Sequence, residues 1–169
     1  IYWRSDSAAK ILFSNIDVLQ FSKKFINFDA VYFSGITLSI YSAVNLNKFY
    51  LLLKILKKNN VKIYIDLNIR LKNWMDMHTA DKVIKKFSLL SNIIFVSKED
   101  LISLKIKNFK NFILNYSRNA LVVYRQGDGK IIINKNKKLY KYSIKFDKKV
   151  VDTTGCGDAF NASFLINYF

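Results

Sequence analysis

Hydrophobic and polar positions along this chain follow two periods. From Ser42 to Asn59 the apolar residues Val44, Phe49, Leu52, Leu53 and Leu56 recur at helical spacing. The segment closes on Lys57-Lys58-Asn59-Asn60, cations where a helix dipole favours them. That pattern predicts a core-facing helix. Asp76 to Leu90 repeats it, with His78 as a surface residue, and the polar-interrupted stretch Ile102 to Tyr116 predicts a helix or two. Denser apolar runs lie between. Asp29 to Leu38 predicts a buried strand ending in a turn at Gly35, and Val61 to Leu67 a central parallel strand. Asn92 to Val96 and Ala120 to Tyr124 predict two more.

After Tyr124 the pattern shortens. Gly127-Asp128-Gly129 reads as a hairpin turn into a strand at Lys130 to Ile133, with a solvated turn over Asn134 to Lys138 and an edge strand over Leu139 to Ile144. Val150 and Val151 then lead into Gly155-Cys156-Gly157, followed by an apolar run at helical spacing through Phe164, Leu165 and Tyr168. Strand, helix, strand with short joins makes a right-handed βαβ unit. No repeat or linker divides the chain, so residues 1–169 are expected to form one three-layer α/β/α domain with a mainly parallel sheet.

Composition narrows the class. An apolar fraction of 51% and an aromatic fraction of 15% exclude a disordered chain. No apolar run approaches the ~18 residues of a membrane helix, and no signal-peptide pattern opens the chain. One Cys rules out an internal disulfide, and one His with one Cys leaves no zinc site, so the cytoplasm is the expected setting. A net charge of +16 invites a nucleic-acid reading, but the lysines are scattered rather than gathered on one stripe. No nucleic-acid partner is expected. The chain lacks an initiator Met and stops inside an apolar helix at Phe169, so both ends are expected to be cut.

Candidate chemistry concentrates in Asp152-Thr153-Thr154-Gly155-Cys156-Gly157-Asp158-Ala159-Phe160. Two glycines flanking one small residue let successive backbone N–H groups point at one spot, and a helix starting there adds its positive dipole end. Asp158 in the first turn could then accept a hydroxyl proton beside an anion site. A Gly-containing loop with an Asp near a helix start is the ordinary alternative. Elsewhere, Tyr2-Trp3-Arg4 could stack on a sugar and hold a carboxylate, or could simply end a strand. Asn68 and Arg70, two apart at a strand end, could reach one phosphate or could belong to a polar loop. Ser97 followed by Glu99 and Asp100 is a good helix N-cap.

The stretch from Asp152 to Phe160 resembles the C-terminal signature of the ribokinase / phosphofructokinase-B family of carbohydrate kinases. The resemblance implies a ribokinase-like fold, ATP and Mg²⁺ as cofactors, Asp158 as catalytic base, and Gly155, Cys156 and Gly157 as an anion hole. Cys156 stands where most members have Ala. Tyr2-x-Arg4 before a Ser-Ala segment, Ser34-Gly35-Ile36-Thr37-Leu38, and Asp66-x-Asn68-x-Arg70 with Trp74 resemble the 2-keto-3-deoxygluconate kinase branch. By that resemblance Tyr2, Trp3, Arg4, Ile36 and Arg70 meet a sugar acid, with Arg4 on its carboxylate and residues 1–4 ending a lid strand. Asn68 and Arg70 sit between nucleotide and substrate.

Ser97 and Asp100 occupy the ends of the family's Asn-x-x-Glu motif, so Ser97 is carried over to the nucleotide and Asp100 to an indirect role at the metal. Gln126, Gly127 and Gly129 correspond to the Gly-x-x-Gly loop against ATP, with Gln126 where the first Gly is usual and Leu71 where Pro often follows the Arg.

The expected activity is ATP-dependent phosphorylation of a sugar acid to its 6-phosphate, with a homo-oligomer contact through the lid. The resemblance covers this chain but only the middle and later half of a complete member, so the chain alone is expected to be inactive. Two alternatives stay open. One is a kinase for a neutral sugar, as in fructokinases or ribokinases; the other is a degenerate kinase fold kept as a binding module.

Overall fold

The structure, a computed structural model, describes residues 7–145 and 151–168. Tyr2, Trp3, Arg4 and Val150 lie outside the described residues. Two short helices, α1 (Ala8–Ile11) and α2 (Val18–Ser22), precede the sheet. Then β1 (Ala30–Ser34) is followed by α3 (Gly35–Ser39) and α4 (Ala43–Lys58), and β2 (Lys62–Asp66) by α5 (Met77–Ser88). Next come β3 (Ile93–Ser97), α6 (Lys98–Ser103), α7 (Phe109–Tyr116) and β4 (Leu121–Gly127). A hairpin of β5 (Lys130–Lys135) and β6 (Lys138–Ser143) precedes the last helix, α8 (Cys156–Tyr168).

The six strands lie in chain order, β1 to β4 parallel and the hairpin antiparallel on the far edge. Right-handed crossovers that never reverse direction must all pass over one face of such a sheet. The core agrees. Phe33, Ile63, Ile65, Ile94, Val96 and Val122 pack with Leu52, Leu53 and Leu56 of α4, Ile84 and Phe87 of α5, and Phe112 of α7. The alternate positions Tyr64, Ile93, Phe95, Leu121 and Val123 face the other way and meet Phe160, Phe164 and Leu165 of α8. Among the described residues α8 is the only helix on that face, so the third layer is one helix thick.

Helix starts follow the side-chain chemistry. Ser42, Asp76 and Asn108 each accept a hydrogen bond from the backbone N–H three residues on, at 3.2, 2.7 and 2.9 Å. Asn60, at φ 67°, ends α4 in the left-handed conformation that Asn tolerates.

Four expectations change. Gly35 does not make a turn but begins α3 directly from β1, and its missing Cβ leaves room for the Leu67 carbonyl oxygen. Among the described residues β1 is an edge strand rather than a buried one, with Tyr32 exposed. Val44 of α4 points to solvent. The loop expected over Asn134 to Lys138 narrows to Asn136 and Lys137, both at positive φ, as a two-residue hairpin requires. Among the described residues no helix is long and apolar enough to cross a membrane.

Candidate functional site

Parallel strands deliver their carboxyl ends to one side of the sheet, and there a cleft of about 790 Å³ opens beneath the N-terminus of α8. Its floor begins where β2 leaves the sheet. Leu67 donates to the Phe95 carbonyl at 3.0 Å, then Asn68 adopts φ 33°, a left-handed value that Asn accepts more readily than most residues. Leu67 and Ile69 are buried, which sends the intervening Asn68 and the following Arg70 to the cleft.

Asp100 holds that loop in place. One of its oxygens accepts the Ile69 N–H at 2.7 Å, and the other accepts the Ser97 N–H and hydroxyl, both at 2.8 Å. The Ser97 hydroxyl in turn accepts the Asp100 N–H at 3.2 Å, completing a capping box at the start of α6. Burial pushes the Asp100 pKa up, against the pull of the Ile69 and Ser97 hydrogen bonds. With both oxygens engaged and the residue 2% exposed, Asp100 acts as a brace between β3 and the β2 loop.

The roof is the first turn of α8. Asp152 accepts the Thr154 N–H at 2.8 Å, Gly155 turns at φ 75°, and the helix closes with Ala159 donating to the Gly155 carbonyl at 2.9 Å. Cys156, Gly157 and Asp158 follow as its first residues, exposed or half-buried along the cleft. The first N–H groups of a helix lack intrahelical partners and carry its positive dipole end. The third wall is the β4–β5 turn, where Gly127, Asp128 and Gly129 all take positive φ. Gly129 lies so close to the Ile144 carbonyl that a Cβ there would clash with it.

Between the floor and the roof sits a polar cluster, in which Asp66 and Arg125 themselves line the cleft. Asp66, at the end of β2, pairs with Arg125 of β4 at 3.2 Å. Arg125 also donates to the Gly157 carbonyl at 3.1 Å, and Asn161, one turn further along α8, donates to the Tyr32 hydroxyl at 3.0 Å. Burial raises the Asp66 pKa to about 6, with Arg125 pulling it down and Asp100 adding to the rise. Asn161 lowers it through a side-chain hydrogen bond.

The cleft therefore brings together Asn68, Arg70, Ser97, Asp100, Gly127, Gly129 and the whole Gly155–Asp158 turn. Ile36 lies in α3 and does not line it. Gln126 sits at the register shift of β4, also off the cleft, which gives its departure from Gly a structural setting in a bulge. Tyr2, Trp3 and Arg4 cannot be placed among the described residues.

The sequence motifs include Asp66 without giving it a role and leave Arg125 out. The available signal was an acid and a base ending two otherwise apolar parallel strands, where lone charges need partners. Glu99, Thr153 and Thr154 on the cleft, and Asn161 behind it, were also missed.

This geometry places the molecule among α/β proteins whose ligand crevice lies outside the carboxyl ends of parallel strands. The chain belongs to the pfkB family of carbohydrate kinases, whose family model matches residues 3–169. It is 29% identical over 170 residues to the 2-dehydro-3-deoxygluconokinase of Escherichia coli (strain K12), covering 97% of this chain and 55% of that one. The 2-dehydro-3-deoxygluconokinase of Dickeya dadantii (strain 3937) is 28% identical over the same shares. The chain thus spans about half the length of the curated relatives it matches. The structure superposes on aminoimidazole riboside kinase from Salmonella enterica, complexed with aminoimidazole riboside and an ATP analogue. That match has a TM-score of 0.69 at 21% identity, over 80% of this chain and 46% of the other.

Proposed function

We propose that the protein containing this chain transfers the γ-phosphoryl group of ATP to a sugar acid, 2-keto-3-deoxygluconate, giving its 6-phosphate. The observation that carries this reading is the α8 N-terminus, with Asp158 in its first turn, lying across one cleft from Asn68 and Arg70. Family membership and the named 2-dehydro-3-deoxygluconokinase relatives support it.

In the reaction, Asp158 takes the proton of the primary hydroxyl as that oxygen bonds to the γ-phosphorus and the bond to the ADP oxygen breaks. The backbone N–H groups of Gly155 and Gly157 face the charge that develops on the phosphoryl oxygens, and that of Cys156 joins them on leaving the Thr153 carbonyl, to which it donates at 3.2 Å. One such donor contributes about 10²–10³ in rate and a placed general base about 10²–10⁴. Arg70 spans substrate and phosphate, and the Gly127–Gly129 turn lies against the nucleotide.

Magnesium fits this donor set only as a partner of the nucleotide. Among the described residues no group of three His, Cys, Asp or Glu gathers around one point, and both Asp100 oxygens are engaged. Mg²⁺ ordinarily binds through one or two carboxylates plus substrate phosphates. Glu99, Asp128 and Asp158 are the cleft carboxylates not engaged in this way, and the bound ion would neutralise phosphate charge there.

The test is Asp158→Asn in the full-length protein, with ATP and a panel of 2-keto-3-deoxygluconate, fructose and ribose. Turnover should favour the sugar acid and fall by about 10²–10⁴ in the variant, with sugar binding retained. Unchanged turnover sinks the assignment of the base, and preference for fructose or ribose sinks the sugar-acid assignment.

A further inference from the structure

The Asp66–Arg125 pair has no part in the chemistry just described, yet it touches the element that carries Asp158. We infer that Arg125 is a positioning residue that fixes the first turn of α8 over the cleft by bridging it to Asp66 at the end of β2. The inference rests on the kinase reading and extends it.

Alternation along the strands puts the cluster on the correct face. Asp66 follows Tyr64 by two residues on β2, and Arg125 follows Leu121 and Val123 by four and two on β4, all directed towards α8. From there one guanidinium nitrogen donates to Asp66 at 3.2 Å and another to the Gly157 carbonyl at 3.1 Å. The guanidinium carbon lies 5.7 Å from the Phe160 ring centroid, so the group is held on the helix side as well.

The contact with α8 is close. A Cβ on Gly157 would stand 2.9 Å from an Arg125 nitrogen, so glycine at that position leaves room for the guanidinium. A second tether lies one turn along. Asn161 is 1% exposed and donates to Tyr32 of β1 at 3.0 Å. Two successive turns of α8 are thereby fastened to the sheet, the first to β2 through Arg125 and the second to β1. The Asp66 carboxylate is two residues from Asn68 and four from Arg70.

The consequence is geometric. Gly157 directly precedes Asp158 and supplies an amide of the anion hole, so the bridge sets the separation between that turn and the Asn68–Arg70 loop. A misplacement of about 1 Å in a reacting constellation lowers the rate about 10²-fold. A planar fork can reach both acceptors at once, which a lysine ammonium on a flexible stem does less well.

The experiment uses Arg125→Met and Arg125→Lys in the full-length protein, read by steady-state kinetics and amide hydrogen exchange. Arg125→Met should lower kcat about 10²-fold with little change in either KM, and Arg125→Lys should fall between it and wild type. Without any substrate, both should lose exchange protection at Gly157 to Asn161 while β3, at Ile94 to Val96, keeps its protection. Protection lost equally at β3 would show a global role and overturn the inference, as would unchanged exchange at α8 or an Arg125→Lys variant equal to wild type. Exchange lost at α8 in a protein whose wild type phosphorylates no sugar would instead refute the kinase reading and leave the tether standing. Should Arg125→Met fail to fold, Arg125→Lys carries the same two readouts.

Discussion

Replacing Asp66 by Asn should stabilise the protein more at neutral pH than in mild acid. Asp66 is 2% exposed and its pKa is raised from 3.8 to about 6 by burial, despite the Arg125 guanidinium and the Asn161 amide beside it. Asp100, Asp158 and the Tyr32 phenol complete its surroundings. Because the folded-state value lies above the unfolded one, the folded state favours the protonated acid. That stability is fully present below 3.8 and is lost as pH rises through about 6.

At about 1.36 kcal/mol for each tenfold change in proton affinity, the gap converts to about 3 kcal/mol. Asn keeps the shape and can still accept from Arg125, but it cannot ionise. Urea unfolding of both proteins between about pH 4 and about pH 7.5 measures the difference. The stability of Asp66→Asn relative to wild type should rise by about 2–3 kcal/mol across that window. A difference independent of pH, or one that shrinks as pH rises, would show that the ion pair outweighs burial and refute the reasoning.

Three further outcomes follow from contacts. Gly35→Ala should destabilise by about 1–3 kcal/mol in urea unfolding, since the new methyl group meets the Leu67 carbonyl, which cannot swing aside. Gly129→Ala, at φ 72° and against the Ile144 carbonyl, should weaken ATP binding in calorimetry and lower stability by about 1–3 kcal/mol in urea unfolding. Ser97→Ala removes one side of the capping box at α6 and should lower stability by about 1 kcal/mol. It should also increase hydrogen exchange at Ile69, whose amide depends on the same Asp100.

Strands β2 to β4 were legible because apolar runs bounded by polar residues leave little else for a chain to do. Helices α4 and α5 were legible because Ser42 and Asp76 mark their starts. The signature from Asp152 to Asp158 was legible as a motif, and the loop at Asn68 and Arg70 as a strand end. The electrostatic cluster behind them was not. Asp66 and Arg125 are 59 residues apart, and only the parallel pairing through β3 brings them together. Gly35 misled for a related reason: its small size serves a contact with β2 that no local window contains.

That α8 is the only helix over the second face of the sheet among the described residues also has a meaning in time. On a ribosome the sheet and the helices of its first face emerge before α8, and they can associate while Tyr64, Phe95 and Val123 still lack their cover. When α8 arrives, its docking covers those residues and carries Asp158 to the cleft. Asn161 then reaches back 129 residues to Tyr32. Any chain in which that docking fails lacks the cleft's roof and also presents an uncovered apolar sheet face, a marker that chaperones and proteases can read.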